Sequence, residues 1–264
     1  SHFTMKFKTI INATLLLLAG SVAFAQLKET VKSLEKINEQ LYASNSEVSN
    51  KQYAFFLEAL KTEKDLNTLQ LAQVDSVQWK SKESYNEPYV TYYHKHKAYD
   101  NYPVVNISYE AAVAYCNWLT KLYEQDKNRK FKKVIFRLPT IIEWEMAAAA
   151  GNNNAVYPWK ENLTENKNGK VQANYKRGNG DATGSAAYLN DNADITAPVK
   201  SYWPNGFGLY NMAGNVSEMT ASNTSIKGGS WRDTADLLKI KSTQSYDGYP
   251  KANVGFRCFM EVIE

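Results

Sequence analysis

Within the run NGFGLYNMAGNVSEMT (205–220), Asn211, Gly214, Val216 and Glu218 can offer one side-chain amide oxygen, two main-chain carbonyls and one carboxylate. Mixed hard oxygens of this kind suit calcium, which takes about six to eight oxygen ligands and tolerates irregular loops. The glycines would let the chain bend around an ion. The same composition equally suits a plain turn with asparagines in the left-handed region.

Other reactive side chains are few. His94 and His96 form an H-x-H pair in YYHKHKAYD. On a strand such a pair could bind a metal, but no third ligand is evident, and a solvated loop explains it as well. No G-x-S-x-G nucleophile motif occurs, and Asp233 and Asp236 read as surface carboxylates. Cys116 and Cys258 are the only thiols. They are either two buried free thiols or a disulfide, and a bond closing so long a loop would remove ~4–5 kcal/mol of unfolded-chain entropy.

These residues need elements to position them. In SNSEVSNKQYAFFLEALK, Ser49 and Gln52 have the spacing of a capping box, which predicts a short strand running into a helix that buries Tyr53, Phe56, Leu57 and Leu60. Ser108 caps a second helix whose stripe is Ala112, Tyr115, Cys116, Leu119 and Leu122, so Cys116 faces the core. Thr140 and Glu143 repeat the capping box in RLPTIIEWEMAAAAG, with Gly151 at its end. Leu27, Val31, Leu34, Ile37 and Leu41 recur at helical spacing, which predicts one amphipathic helix over 26–44. The tyrosine-rich stretch 80–104 reads as loop and short strand, and 151–204 as a long loop region that something must fix. Short strands are expected at SIKGGSW and VGFRCFMEVI.

Composition bounds the function. The 264 residues, 44% of them hydrophobic, allow one large domain. The start MKFKTIINATLLLLAGSVAFAQ has a basic end, a short apolar run and an A-x-A close at Ala23 to Ala25, so residues 1–25 read as an export signal. The apolar run falls short of the ~20 residues that span a bilayer, so no membrane span is expected after cleavage. Discounting Lys6 and Lys8 reduces the net charge from +4 to +2, too little to suggest nucleic acid.

The ordered set RLPTIIEWEMAAAAG, NGFGLYNMAGNVSEMT, KGGSW and VGFRCF closely resembles the formylglycine-generating enzyme (FGE, sulfatase-modifying factor) domain family, over roughly 45–264. The resemblance implies an α+β, C-type-lectin-like fold with a large irregular fraction. It implies one structural calcium at Asn211, Gly214, Val216 and Glu218, and a second at Asn174, Tyr175, Asp191 and Ala193. It also pairs Cys116 with Cys258 as a disulfide. Catalytic members carry two copper-binding cysteines after GGS; here the matching positions are Asp233 and Leu238. Copper(I) selects soft sulfur ligands, so no copper and no formylglycine-generating activity are expected.

The resemblance therefore implies an exported, noncatalytic domain, periplasmic or secreted, with an envelope protein as partner. It is similar to the FGE-like components of gliding motility and type IX secretion. Two alternatives follow: an enzyme of altered chemistry, or a C-type-lectin-like ligand-binding module. In such a module Trp231, Asp233, Tyr246 and Tyr249 would form the contact surface, on the segment that retroelement-diversified variable proteins use.

Overall fold

The computed structural model describes residues 23–80, 86–161, 163–177 and 195–264. The Ser49 hydroxyl accepts from the Gln52 N–H while the Gln52 side chain accepts from the Ser49 N–H, and Thr140 and Glu143 make the same exchange. Two expected capping boxes thus start α2 (Asn50–Glu63) and α6 (Ile141–Ala149). Ser108 starts α5 (Tyr109–Gln125), whose expected stripe is buried in full.

The remaining described helices are α1 (23–32), α3 (Leu66–Leu71) and α4 (Glu87–Tyr92), with 3-10 turns at Ser76–Trp79, Lys97–Tyr99 and Ala235–Leu238. The strands are β1 (Leu34–Lys36), β2 (Leu41–Ser44), β3 (Val134–Arg137), β4 (Ser217–Met219), β5 (Ser225–Lys227), β6 (Thr243–Ser245), β7 (Val254–Gly255) and β8 (Phe259–Val262). One sheet has the order β1-β2-β8-β3, antiparallel throughout. The other has the order β6-β5-β4-β7, with β4 and β7 parallel.

The main core lies where α2 and α5 meet the first sheet. Tyr53, Phe56, Tyr115 and Trp118 interlock there with ring centroids 5.4–5.9 Å apart. Truncating fully buried Phe56 to Ala should cost ~3–5 kcal/mol.

Three expectations are corrected. The single helix over 26–44 is instead the end of α1 followed by the β1–β2 hairpin. Asn38 Oδ1 accepts from the N–H of Gln40 and of Leu41, both at 2.9 Å, which reverses the chain. Pairing of β2 with β8 then overrides the helical spacing. Consequently the domain does not begin at 45, because β1 and β2 belong to its sheet and Leu27 of α1 is buried in its core. The stretch 80–104 holds α4 and a 3-10 turn, started by Pro88 in the first turn and packed by Tyr93 on Trp79 at 4.6 Å.

Of the expected export segment, residues 1–22 lie outside the described residues, and 23–25 are the first described residues of α1. No described helix is long and apolar enough to cross a membrane. As expected, the described parts of 151–204 hold no helix or strand beyond one isolated bridge, Glu165 to Val171.

The terminal run joins the two sheets. Gly255 ends β7 in one and Phe259 begins β8 in the other, so Arg257 and Cys258 sit at the crossing. A side chain at 255 would strike the Val104 carbonyl and Val216 at 2.9 Å, so the crossing needs glycine there. Alongside runs the segment entering α2, with Ser44 N–H bonded to the Cys258 carbonyl and Val48 N–H to that of Phe256. That register brings Glu47 beside Arg257.

Candidate functional site

Strand β4 serves two polar clusters, because successive side chains of a strand face opposite ways. Glu218 points toward Arg257, and Ser217 toward Asp233.

In the first cluster, Arg257 Nε lies 2.9 and 2.8 Å from the two Glu218 oxygens, and its Nη2 donates to Oε1 at 2.6 Å. Trp144 Nε1 donates to Oε2 at 2.8 Å. The other guanidinium protons reach the carbonyls of Ser44 and Tyr210. Glu47 is also fully buried, and accepts from Asn215 Nδ2 at 2.8 Å and Asn211 Nδ2 at 3.2 Å. Burial, opposed by Arg257, pushes its carboxyl up to about 8. Glu47 thus lies near the guanidinium without bonding it, and burial holds its carboxyl largely neutral at pH 7.

The turn reading of the asparagines holds, since Asn211 and Asn215 have φ of 51° and 65°. Gly214 is required beside them: at φ 76° a Cβ would stand 2.5 Å from the Asn174 carbonyl. Asn174 Nδ2 donates to the Ile195 carbonyl at 2.7 Å and to Asn215 Oδ1 at 3.3 Å, so described members of both expected calcium sets meet through Asn215. Tyr175 instead bonds Thr164 through its hydroxyl. Asp191 and Ala193 lie outside the described residues.

Arg257 and Trp144 donate to both oxygens of Glu218, so an ion at that carboxylate would have to share them. Glu47 is no better placed, since the amides around it turn N–H groups rather than oxygens toward its carboxyl: Asn215 Nδ2 donates to Oε1 and Asn211 Nδ2 to Oε2. The sequence gives no local signal for Glu47, which looks like an ordinary polar residue before a helix cap. Among the described residues no group of three or more His, Cys, Asp or Glu could hold a metal. His94 and His96 do not form a pair: one bonds Asn50 and the other caps the 3-10 turn at Ala98.

The second cluster occupies the segment after GGS. Asp233 Oδ2 accepts from the Ser230 hydroxyl and, at 3.5 Å, from that of Ser217, while Oδ1 accepts from Gln244 Nε2 at 3.1 Å. Asn253 Nδ2 donates to Ser230 Oγ at 3.1 Å. Ser230 is fully buried and no histidine faces it among its described partners, so the pair offers no activated nucleophile. Leu238 is fully buried against Tyr157, Val171 and Tyr175.

The expected contact surface is corrected here as well. Trp231 is buried, stacked on Trp79 at 6.3 Å with its Nε1 donating to the Ala252 carbonyl. Tyr246 is buried too, its hydroxyl donating to the Tyr249 carbonyl. Asp233 is half-buried, and only Tyr249 is open to solvent, at 71% exposure. Cys116 and Cys258 are buried free thiols with their sulfurs 3.6 Å apart, so the expected bond is not formed although its partners are adjacent.

The family model described as sulfatase-modifying factor enzyme 1-like domain matches residues 3–262. The formylglycine-generating enzyme of Thermomonospora curvata is 42% identical over 123 residues, covering 46% of this chain and 33% of that protein. The inactive C-alpha-formylglycine-generating enzyme 2 of Bos taurus is 33% identical over 172 residues, covering 60% of this chain and 50% of that one. The chain thus spans between a third and a half of the length of these relatives. Among solved structures, Treponema denticola variable protein 1 superposes with a TM-score of 0.54 at 19% identity, over 87% of this chain and 91% of that one, a likeness of fold.

Proposed function

The chain belongs to the sulfatase-modifying factor enzyme 1-like family, and from that premise we propose that it is a noncatalytic member acting as a protein-binding assembly component of the bacterial cell envelope. The supporting observation is the second cluster. Where catalytic members are expected to hold two thiolates, this chain has a carboxylate tied to Ser230, Ser217 and Gln244, and a buried leucine. Neither can ligate copper(I). The relative from Bos taurus carries the description inactive, so loss of activity has a precedent in the family.

The export-type N-terminus supports an envelope location, in the manner of the FGE-like components of gliding motility and type IX secretion. Calcium belongs to the proposal as a structural ion. Asn211, Gly214, Val216 and Glu218 would hold it, where the loop 211–218 turns between the two sheets.

The test is site-specific photo-crosslinking in the native host with the full chain, the probe replacing exposed residues such as Tyr249 or Ile142. Recurrent capture of one envelope protein that also binds the purified domain is the expected result. Absence of any protein adduct from every exposed position would refute the assembly role.

A further inference from the structure

A cleft of about 530 Å³ lies between the C-terminal end of α6, the segment 155–161, the turn at Asn166 and the loop 203–206. It shares no lining residue with either polar cluster, and its size falls in the ~300–1,000 Å³ range of ligand sites. We infer that this cleft binds a saccharide chain.

Trp203 lines the cleft and is 53% exposed, a large apolar face left to solvent. Its loop is firmly held: Asn205 Nδ2 donates to the carbonyls of Ala147 and Ala148, and Asn205 Oδ1 accepts from the N–H of Phe207 and Leu209. Tyr157 and Trp159 form a parallel stack at 5.0 Å and 5°, with Trp159 Nε1 tied to the Leu163 carbonyl at 2.8 Å. Flat, oriented rings suit the C–H faces of sugar rings.

The polar rim matches hydroxyls. Asn152 Oδ1 accepts from Asn154 N–H, and Asn166 Oδ1 accepts from Asn168 and Lys170 N–H, which fixes both amides with Nδ2 as the remaining donor. Glu161 accepts from Gln172 Nε2 through Oε2 and keeps Oε1 as an acceptor. Aromatic faces beside fixed donors and an acceptor fit a ligand rich in both C–H and O–H groups. Lys160 and Glu161 offset each other, which disfavours a polyanion. No named strand lines the cleft to offer an edge to an extended peptide.

The test is a tryptophan-fluorescence titration of the full chain with chitotetraose, cellotetraose and mannotetraose, alongside a proline-rich peptide. At least one sugar should give a saturable change, weakened about tenfold or more in Trp203→Ala with the melting temperature retained. Trp159→Phe, which keeps a ring but loses the indole, should weaken binding less. Three results would overturn the inference: no saturable change with any sugar, sugar binding indifferent to Trp203→Ala, or saturation by the peptide alone. The envelope-assembly role stands or falls separately, by its crosslinked partner.

Discussion

Arg257 and Glu218 form a bidentate ion pair at the crossing between the two sheets, with side-chain exposures of 0% and 1%. Each residue comes from a different sheet region, Glu218 from β4 and Arg257 from the link between β7 and β8. Glu47 stands beside them, so a second acidic side chain acts on the guanidinium from a distance.

The two partners should therefore be unequal. Arg257→Met leaves Glu218 buried without its guanidinium and should cost ~3–5 kcal/mol in denaturant unfolding. Glu218→Gln leaves Arg257 with Glu47 as its counter-charge and should cost clearly less. Equal losses would show that Glu47 does not act on the pair.

Calcium should act through the loop 211–218. The protein is expected to melt at lower temperature in EDTA and to recover with added calcium, since an ion bound only by the folded state stabilises it by mass action. Asn211→Ala removes one ligand oxygen, so its melting should differ less between calcium and EDTA. A full calcium response in that variant would place the ion elsewhere.

His94 predicts an acid sensitivity. Asn50 Nδ2 donates to the carbonyls of Tyr93 and Tyr99, so Asn50 Oδ1 faces His94 and the proton sits on Nδ1. Nε2 is buried without a partner, and burial pushes the imidazole down to about 3. Below about 6.5 the unfolded chain takes up a proton that the folded state refuses. Stability from this residue is complete above pH ~6.5 and is lost as pH falls toward 3, by up to ~1.4 kcal/mol per unit. Unfolding free energies between pH ~6.5 and 5, where few carboxylates titrate, should slope less in His94→Gln.

Much of this architecture is legible locally, and the exceptions have a common cause. Ser49, Ser108 and Thr140 announce their helices because a cap involves residues only three apart. The hairpin after α1 is hidden because its decisive contacts, β2 to β8, join residues from opposite ends of the domain. The motif carrying Glu218 could be found, but not its partner: nothing near Arg257 or Glu47 in sequence says that they meet. Trp231 reads as a surface residue for the same reason, since its partner Trp79 lies far away in the chain.

The two thiols offer a redox prediction. Burial pushes the Cys258 thiol up, so alkylation of the native reduced protein should be slow. Mild oxidation during refolding should yield an intramolecular disulfide that raises the unfolding free energy by as much as ~4–5 kcal/mol in the chain-entropy limit for residues 142 apart, seen as a higher melting temperature. Cys116→Ser should abolish the gain.

The most direct test of the central claim is copper(I) titration of the full chain, followed by intact-mass analysis of a cysteine-containing peptide incubated with it under oxygen. The account predicts no stoichiometric tight copper and an unchanged peptide mass, because Asp233 and Leu238 supply no thiolate. Tight one-to-one copper binding with conversion of the peptide cysteine to an aldehyde would contradict it.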